Sequence, residues 1–149
     1  MPSIFNPKDN SLLTERLSKL KPDAQPKWGV MNAEQMMAHC LSPIEVAFGN
    51  MTLKSNIFMR IIGKLYKNKI LQSPRFKKNS PTVPEFVKKG NYDFEKTKGA
   101  LIKAIESFAE NGHSVIKNTK HPFFGNMTYE EWDQLQWKHL DHHFRQFDV

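Results

Sequence analysis

Cysteine is nearly missing from this sequence, with Cys40 as its single copy. An internal disulfide framework and a cysteine-based zinc cluster are both excluded by that count. Long apolar runs are missing too, and no stretch approaches the ~18 uncharged residues of a membrane span. The opening MPSIFNPKDNS has neither the basic nor the apolar region of a secretory leader, so a soluble, cytoplasmic protein is expected. Hydrophobic residues make up only 39% of the 149, below the usual share. A chain of this size and composition can build one core but not two, which predicts a single domain over 1–149. Sustained strand alternation and internal repeats are also absent.

Acidic residues are scarce in one segment. Between 51 and 90, Glu85 stands alone against ten Lys and Arg, so this stretch carries +9 while the remainder of the chain carries −2. The basic character thus belongs to an insertion-like segment at about 51–91, not to the chain as a whole. Such a patch can attract phosphates by counterion release, or it can simply be solvated surface, the commoner case. No nucleic-acid-reading motif accompanies it, and its proline-rich part lacks interleaved aromatics. No specific nucleic-acid partner is expected.

What the sequence does have is helical punctuation. Leu13, Leu17 and Leu20 follow an i, i+4, i+7 stripe that stops at Lys21-Pro22. After a Pro- and Gly-containing linker, Asn32 and Gln35 form a capping box, and Met36, Cys40, Ile44 and Phe48 carry an apolar face to about residue 49. A helix over about 93–111 places Leu101, Ile105 and Phe108 inward and ends at Gly112. Thr128 and Glu131 form a second capping box, and the helix it starts runs nearly to Phe147. A shorter amphipathic helix, about 56–71, carries Ile57, Phe58, Ile61, Ile62 and Leu65 opposite lysines. That pattern belongs both to helices lying on a membrane and to helices capping a bundle; the second is commoner, and no membrane partner is expected. Residues 72–90, with Pro74, Pro81 and Pro84, read as a long loop. Four longer helices with this extra segment between the second and third predict an all-α four-helix bundle with a long crossover.

Three of the six histidines fall in WKHLDHHFRQF. At about 100° per residue, with His139 at zero, Trp132 falls near 20°, Leu135 near −40°, His143 near 40° and Gln146 near −20°. Glu130, Gln134, Asp141 and Arg145 gather on the opposite side. His139 and His143 therefore lie on the inward face, where an unpaired imidazole is costly, and His142 and Gln146 border them. Histidines at i and i+4 can chelate one divalent metal, as in zinc-protease helices, but Leu140 stands where such a protease needs its glutamate. His39, at the edge of the second helix's apolar stripe, could supply a third ligand from a facing helix. Pro43 removes the N–H that would pair with the His39 carbonyl and favours a bend beside it.

These residues resemble a family. His39 within WGVMNAEQMMAHC, followed by HPFFGNMTYEEWDQLQWKHLDHHFRQF at the C-terminal end, is similar to the DinB-like superfamily, in one of its bacterial branches of unknown function. The resemblance covers most of the chain and is most specific over the last 30 residues. It implies a four-helix bundle with a long second-to-third crossover and a three-histidine site for Zn or Ni, with His39, His139 and His143 as ligands. Arg145 and Gln146 echo the usual His-Arg-Gly-Gln ending, whereas Phe144 and the missing glycine depart from it. Relatives of that superfamily include transferases and isomerases that use small thiols.

The leading expectation is thus a metal-dependent small-molecule enzyme, a thiol-linked transferase or a hydrolase, with a low-molecular-weight thiol as a candidate partner. The alternative is a metal-binding or stress-associated bundle protein without turnover. His121, ahead of the last helix, is either a residue at the mouth of the site or a loop histidine packed on aromatics, and the second is commoner. Cys40 is expected to be a buried apolar filler. Trp137, Leu140 and Phe144 form a second apolar edge that either packs on the N-terminal helix or makes a homodimer contact.

Overall fold

A computed structural model describes residues 2–149. Five α-helices account for most of it: α1 (Pro7–Ser18), α2 (Ala33–Ala47), α3 (Ile57–Gln72), α4 (Phe94–Asn111) and α5 (Tyr129–Gln146). Each begins where local chemistry supplies an oxygen for the orphan N–H groups of its first turn. Asn6 caps α1 ahead of Pro7, Asn56 caps α3 and Asp93 caps α4. The Asn32/Gln35 and Thr128/Glu131 boxes are both complete, with reciprocal side-chain to backbone bonds of 2.9–3.2 Å. Among the described residues no helix is long and apolar enough to cross a membrane.

The α1 stripe extends to Leu20, but the helix itself stops at Ser18. The Lys98 ammonium, reaching over from α4, donates to the Ser18 and Leu20 carbonyls at 2.8 and 2.9 Å and satisfies the helix end. Pro43 does not interrupt α2, which continues to Ala47. α1 packs against α4 and α5, and α2 packs against the same two helices. Leu13, Leu17, Met36, Ile44, Ile105, Phe108, Trp132 and Phe144 meet between them with essentially no exposed surface. Burial of each such side chain contributes about 1.5–3 kcal/mol relative to exposure. Leu140 and Phe144 are fully buried, and the Arg16 guanidinium of α1 lies 5.5 Å from the Phe144 ring centre, so the second apolar edge of α5 is used within the chain.

Two features depart from the sequence reading. A small antiparallel hairpin, β1 (Lys120–His121) with β2 (Gly125–Asn126), precedes α5, and a 3-10 turn at Pro84–Phe86 interrupts the long loop. Two-residue strands carry no periodicity, so nothing in the sequence pattern could have marked the hairpin.

The larger correction concerns α3. Ile57, Phe58, Ile61 and Leu65 are 53–74% exposed, so the apolar face that was expected to cap the other helices points outward. The reason is Gly63, which sits about 160° around the helix from Leu65. A Cβ on Gly63 would stand 2.2 Å from the Phe123 carbonyl oxygen, so the α3 backbone itself docks on the hairpin. Lys67 fastens that side through an ion pair with Glu131 at 2.6 Å and a bond to the Asn126 carbonyl at 2.7 Å. From α3 the crossover turns back over α5, and its 3-10 turn returns to α2.

Candidate metal centre

α2 presents His39 and α5 presents His139 and His143, one helical turn apart, to a common point. The His39 Nε2 and His139 Nε2 atoms are 3.0 Å apart. Ring centres are separated by 4.9 Å for His39–His139, 4.6 Å for His39–His143 and 4.7 Å for His139–His143. One nitrogen from each ring lies within 4.8 Å of the other two. His39 is 5% exposed and His143 8%.

Hydrogen bonding sets which nitrogen carries each proton. His39 Nδ1 faces the Phe86 carbonyl at 2.8 Å. A carbonyl only accepts, so Nδ1 holds the proton and Nε2 keeps its lone pair. The His143 tautomer is set through one further residue. Gln146 Nε2 donates to the Trp28 carbonyl at 2.6 Å, which turns Gln146 Oε1 toward His143 Nδ1 at 2.8 Å. His143 Nδ1–H is therefore the donor there, and its Nε2 is also free. Gly29 makes this contact reachable: its φ of +79° turns the 27–30 loop back, and a Cβ there would stand 2.7 Å from Gln146 Nε2. His139 Nδ1 is buried without a hydrogen bond, and because His39 Nε2 can only accept, the 3.0 Å contact between the two rings makes His139 Nε2–H the donor.

Burial keeps these rings neutral. Loss of water is the main cause in each case, followed at His139 by the nearby His143 and His39 charges and at His143 by the His39 charge. His39 lies below the ordinary histidine value despite its Phe86 bond, and Lys88 adds to the lowering. His139 is held well below it, and His143 is brought down to about 3. Neutral imidazoles are a donor set that Zn and Ni accept, because a ligand nitrogen must be unprotonated. His39 and His143 already aim bare Nε2 atoms inward, and His139 would do so with its proton on Nδ1. No thiolate or carboxylate belongs to the cluster among the described residues. Cys40, next to His39 in sequence, turns into the core with its Sγ 3.6 Å from Met36 Sδ, and burial pushes its thiol far above the usual range. It is a filler and not a nucleophile.

The bordering residues separate into two groups. Gln146 is 2% exposed and orients His143 directly. His142 is edge-on to His143 at 5.0 Å and lies between Trp28 at 5.5 Å and Phe76 at 6.1 Å. It opens onto a cavity of about 560 Å³ whose wall also holds Arg75, Lys78 and Lys138 together with the ion pairs Lys27–Asp148 and Arg145–Asp141. His121, by contrast, is not brought to the cluster. Its ring stacks on Phe124 at 4.4 Å and faces Trp132 at 5.3 Å, and its Nδ1 accepts from the Phe123 and Phe124 N–H groups. Trp132 precedes His139 by seven residues, about 10 Å along the helix, so His121 closes the hairpin at the other end of α5. Burial lowers it to about 4.

Phe86, Phe76 and Trp28 were not singled out from the sequence. Phe86 acts through its carbonyl, which no side-chain pattern reports. Phe76, 6.1 Å from His139, and Trp28, covered by the Lys78 ammonium at 4.5 Å, come from irregular segments that fold over α5.

The chain is thus a mostly helical protein with a largely buried cluster of three histidines on two packed helices. Residues 8–149 match the family model described as "Protein of unknown function (DUF1569)", and the chain belongs to that family. No curated protein and no solved structure matches it.

Proposed function

We propose that His39, His139 and His143 hold one divalent transition metal, Zn or Ni, and that the protein is a metal-dependent small-molecule enzyme of DinB-like type. In this reading α1, α2, α4 and α5 are the four members of a bundle and α3 lies in its long crossover. The observation that carries the proposal is the paired orientation of His39 and His143. Each spends its Nδ1 proton on a fixed acceptor, Phe86 O or Gln146 Oε1, and so aims a free Nε2 inward. His39 Nε2 and His139 Nε2 lie 3.0 Å apart. In the metal-free protein His139 Nε2–H meets that spacing by donating to His39 Nε2; one shared cation would meet it with the His139 proton moved to Nδ1.

A metal bound by three imidazoles retains open positions, at which a thiol or a water loses its proton more readily. Phe76 lies 6.1 Å from His139, and the cavity it lines with His142 and Trp28 has room for a small molecule beside the cluster. Its wall is of mixed charge, but Arg75 and Lys78 suit an anionic group, as on a low-molecular-weight thiol bearing a carboxylate or phosphate. The reading is a thiol-linked transferase or a hydrolase. The second reading, a non-catalytic metal clamp between α2 and α5, rests on the same three ligands.

Elemental analysis of tag-free protein, before and after reconstitution, tests the ligand set. About one metal per chain is expected, falling severely in His39→Ala and His143→Ala. Unchanged metal content in both variants would sink the assignment. Thiol transfer that depends on the metal separates enzyme from clamp, because a clamp loses stability but no turnover when the metal is chelated.

A further inference from the structure

α3 is amphipathic in the wrong sense for a helix that belongs to a core. Its inward side is Gly63, Leu71 and the paired Lys67, while Ile57, Phe58, Ile61, Ile62, Leu65 and Tyr66 are 38–74% exposed on the other. A contiguous apolar ridge of this kind on an outlying helix marks a contact surface. α3 meets α5 and the β1–β2 hairpin on its Gly63 side, and the six apolar side chains of the ridge stay exposed in the folded chain.

We propose that the outward face of α3 docks on an anionic lipid bilayer, with the helix lying flat among the headgroups. Charge selects this occupant. The helix sits in the 51–90 segment with its +9 charge, and Lys54, Lys64 and Lys69 are exposed beside the ridge. Lysines flanking a Phe/Leu/Ile face are what an interfacial helix uses, the apolar residues entering the acyl boundary and the ammonium groups meeting anionic headgroups. A second copy of the chain fits less well, because face-to-face pairing would bring two such basic segments together. The ridge is also small for a dimer. Ile57 to Leu65 spans about 12 Å of a helix about 10 Å wide, a footprint on the order of 120 Å² against the ~800 Å² per partner of a stable interface. The proposal is independent of the metal site, which lies on α2 and α5.

Co-sedimentation of the whole protein with vesicles decides the matter. Binding is expected to phosphatidylcholine vesicles containing about 30 mol% phosphatidylserine, and at least tenfold weaker binding to pure phosphatidylcholine. Each cation near an anionic surface counts about fivefold, so Lys54→Glu with Lys69→Glu should weaken binding by about 25-fold or more. Ile61→Ser with Leu65→Ser should weaken it more than tenfold while leaving circular dichroism and metal content unchanged, since both side chains are exposed. Absence of binding, equal binding to neutral vesicles, or binding indifferent to the Ile61/Leu65 pair would each overturn the proposal. So would a vesicle-free dimer that the same pair dissolves, which would assign the ridge to self-association.

Discussion

Lowering the pH should destabilise the metal-free protein through His143 by an amount that can be isolated. His143 titrates near 6.5 in the unfolded chain but at about 3 in the fold, because burial removes its water. A depressed folded value means that the unfolded chain binds the extra proton between those limits. Its contribution to stability is therefore present above about pH 6.5 and is lost as pH falls toward about 3. The slope is about 1.4 kcal/mol per pH unit inside the window, which makes about 2–3 kcal/mol between about pH 7.5 and about pH 4.5. Other groups titrate there too, His121 among them, so the measurement is a difference. Urea unfolding of the wild type and of His143→Asn is followed across this range with a chelator present, since bound metal would add its own stabilisation. The wild type should lose about 2–3 kcal/mol more than the variant on acidification. Parallel stability curves would refute the argument that burial holds His143 neutral.

The remaining expectations concern its neighbours. Gln146→Ala should lower metal affinity about 10–100-fold in a chelator-competition titration, because His143 then loses the acceptor that sets its tautomer; Gln146→Glu, which still accepts from His143 but sets a carboxylate oxygen against the Trp28 carbonyl, should recover only part of it, and His142→Ala should do far less. Gly63→Val should cost about 1–3 kcal/mol by forcing α3 off the Phe123 backbone. Limited proteolysis should then cut within 51–90 faster than in the wild type, and an unchanged cleavage rate would mean that Gly63 does not set the docking of α3.

Much of this was legible along the chain because its cause is local. Asn32 with Gln35, and Thr128 with Glu131, mark helix starts since both partners of each bond lie within one turn. The same helical spacing put His139, His143 and Gln146 on one face of α5; the structure buries His143 and Gln146 and holds a half-buried His139 against His39. His121 was legible only as an alternative between site mouth and aromatic packing, and its stack on Phe124 settles it as packing.

What the tertiary structure decided involves partners far apart in sequence or without a side-chain signature. The tautomer of His39 depends on the Phe86 backbone carbonyl, 47 residues away, and that of His143 depends on the Trp28 carbonyl acting through Gln146. α3 shows the limit most clearly. Periodicity shows that a helix has two faces but contains no information on which one meets the protein. The hydrophobic count favoured Ile57, Ile61 and Leu65 as the inward side. Gly63 reversed that assignment, because a missing Cβ let two backbones approach and an ion pair from Lys67 to Glu131 held them. Close approach and pairing are properties of two surfaces, and a single chain segment carries only one of them.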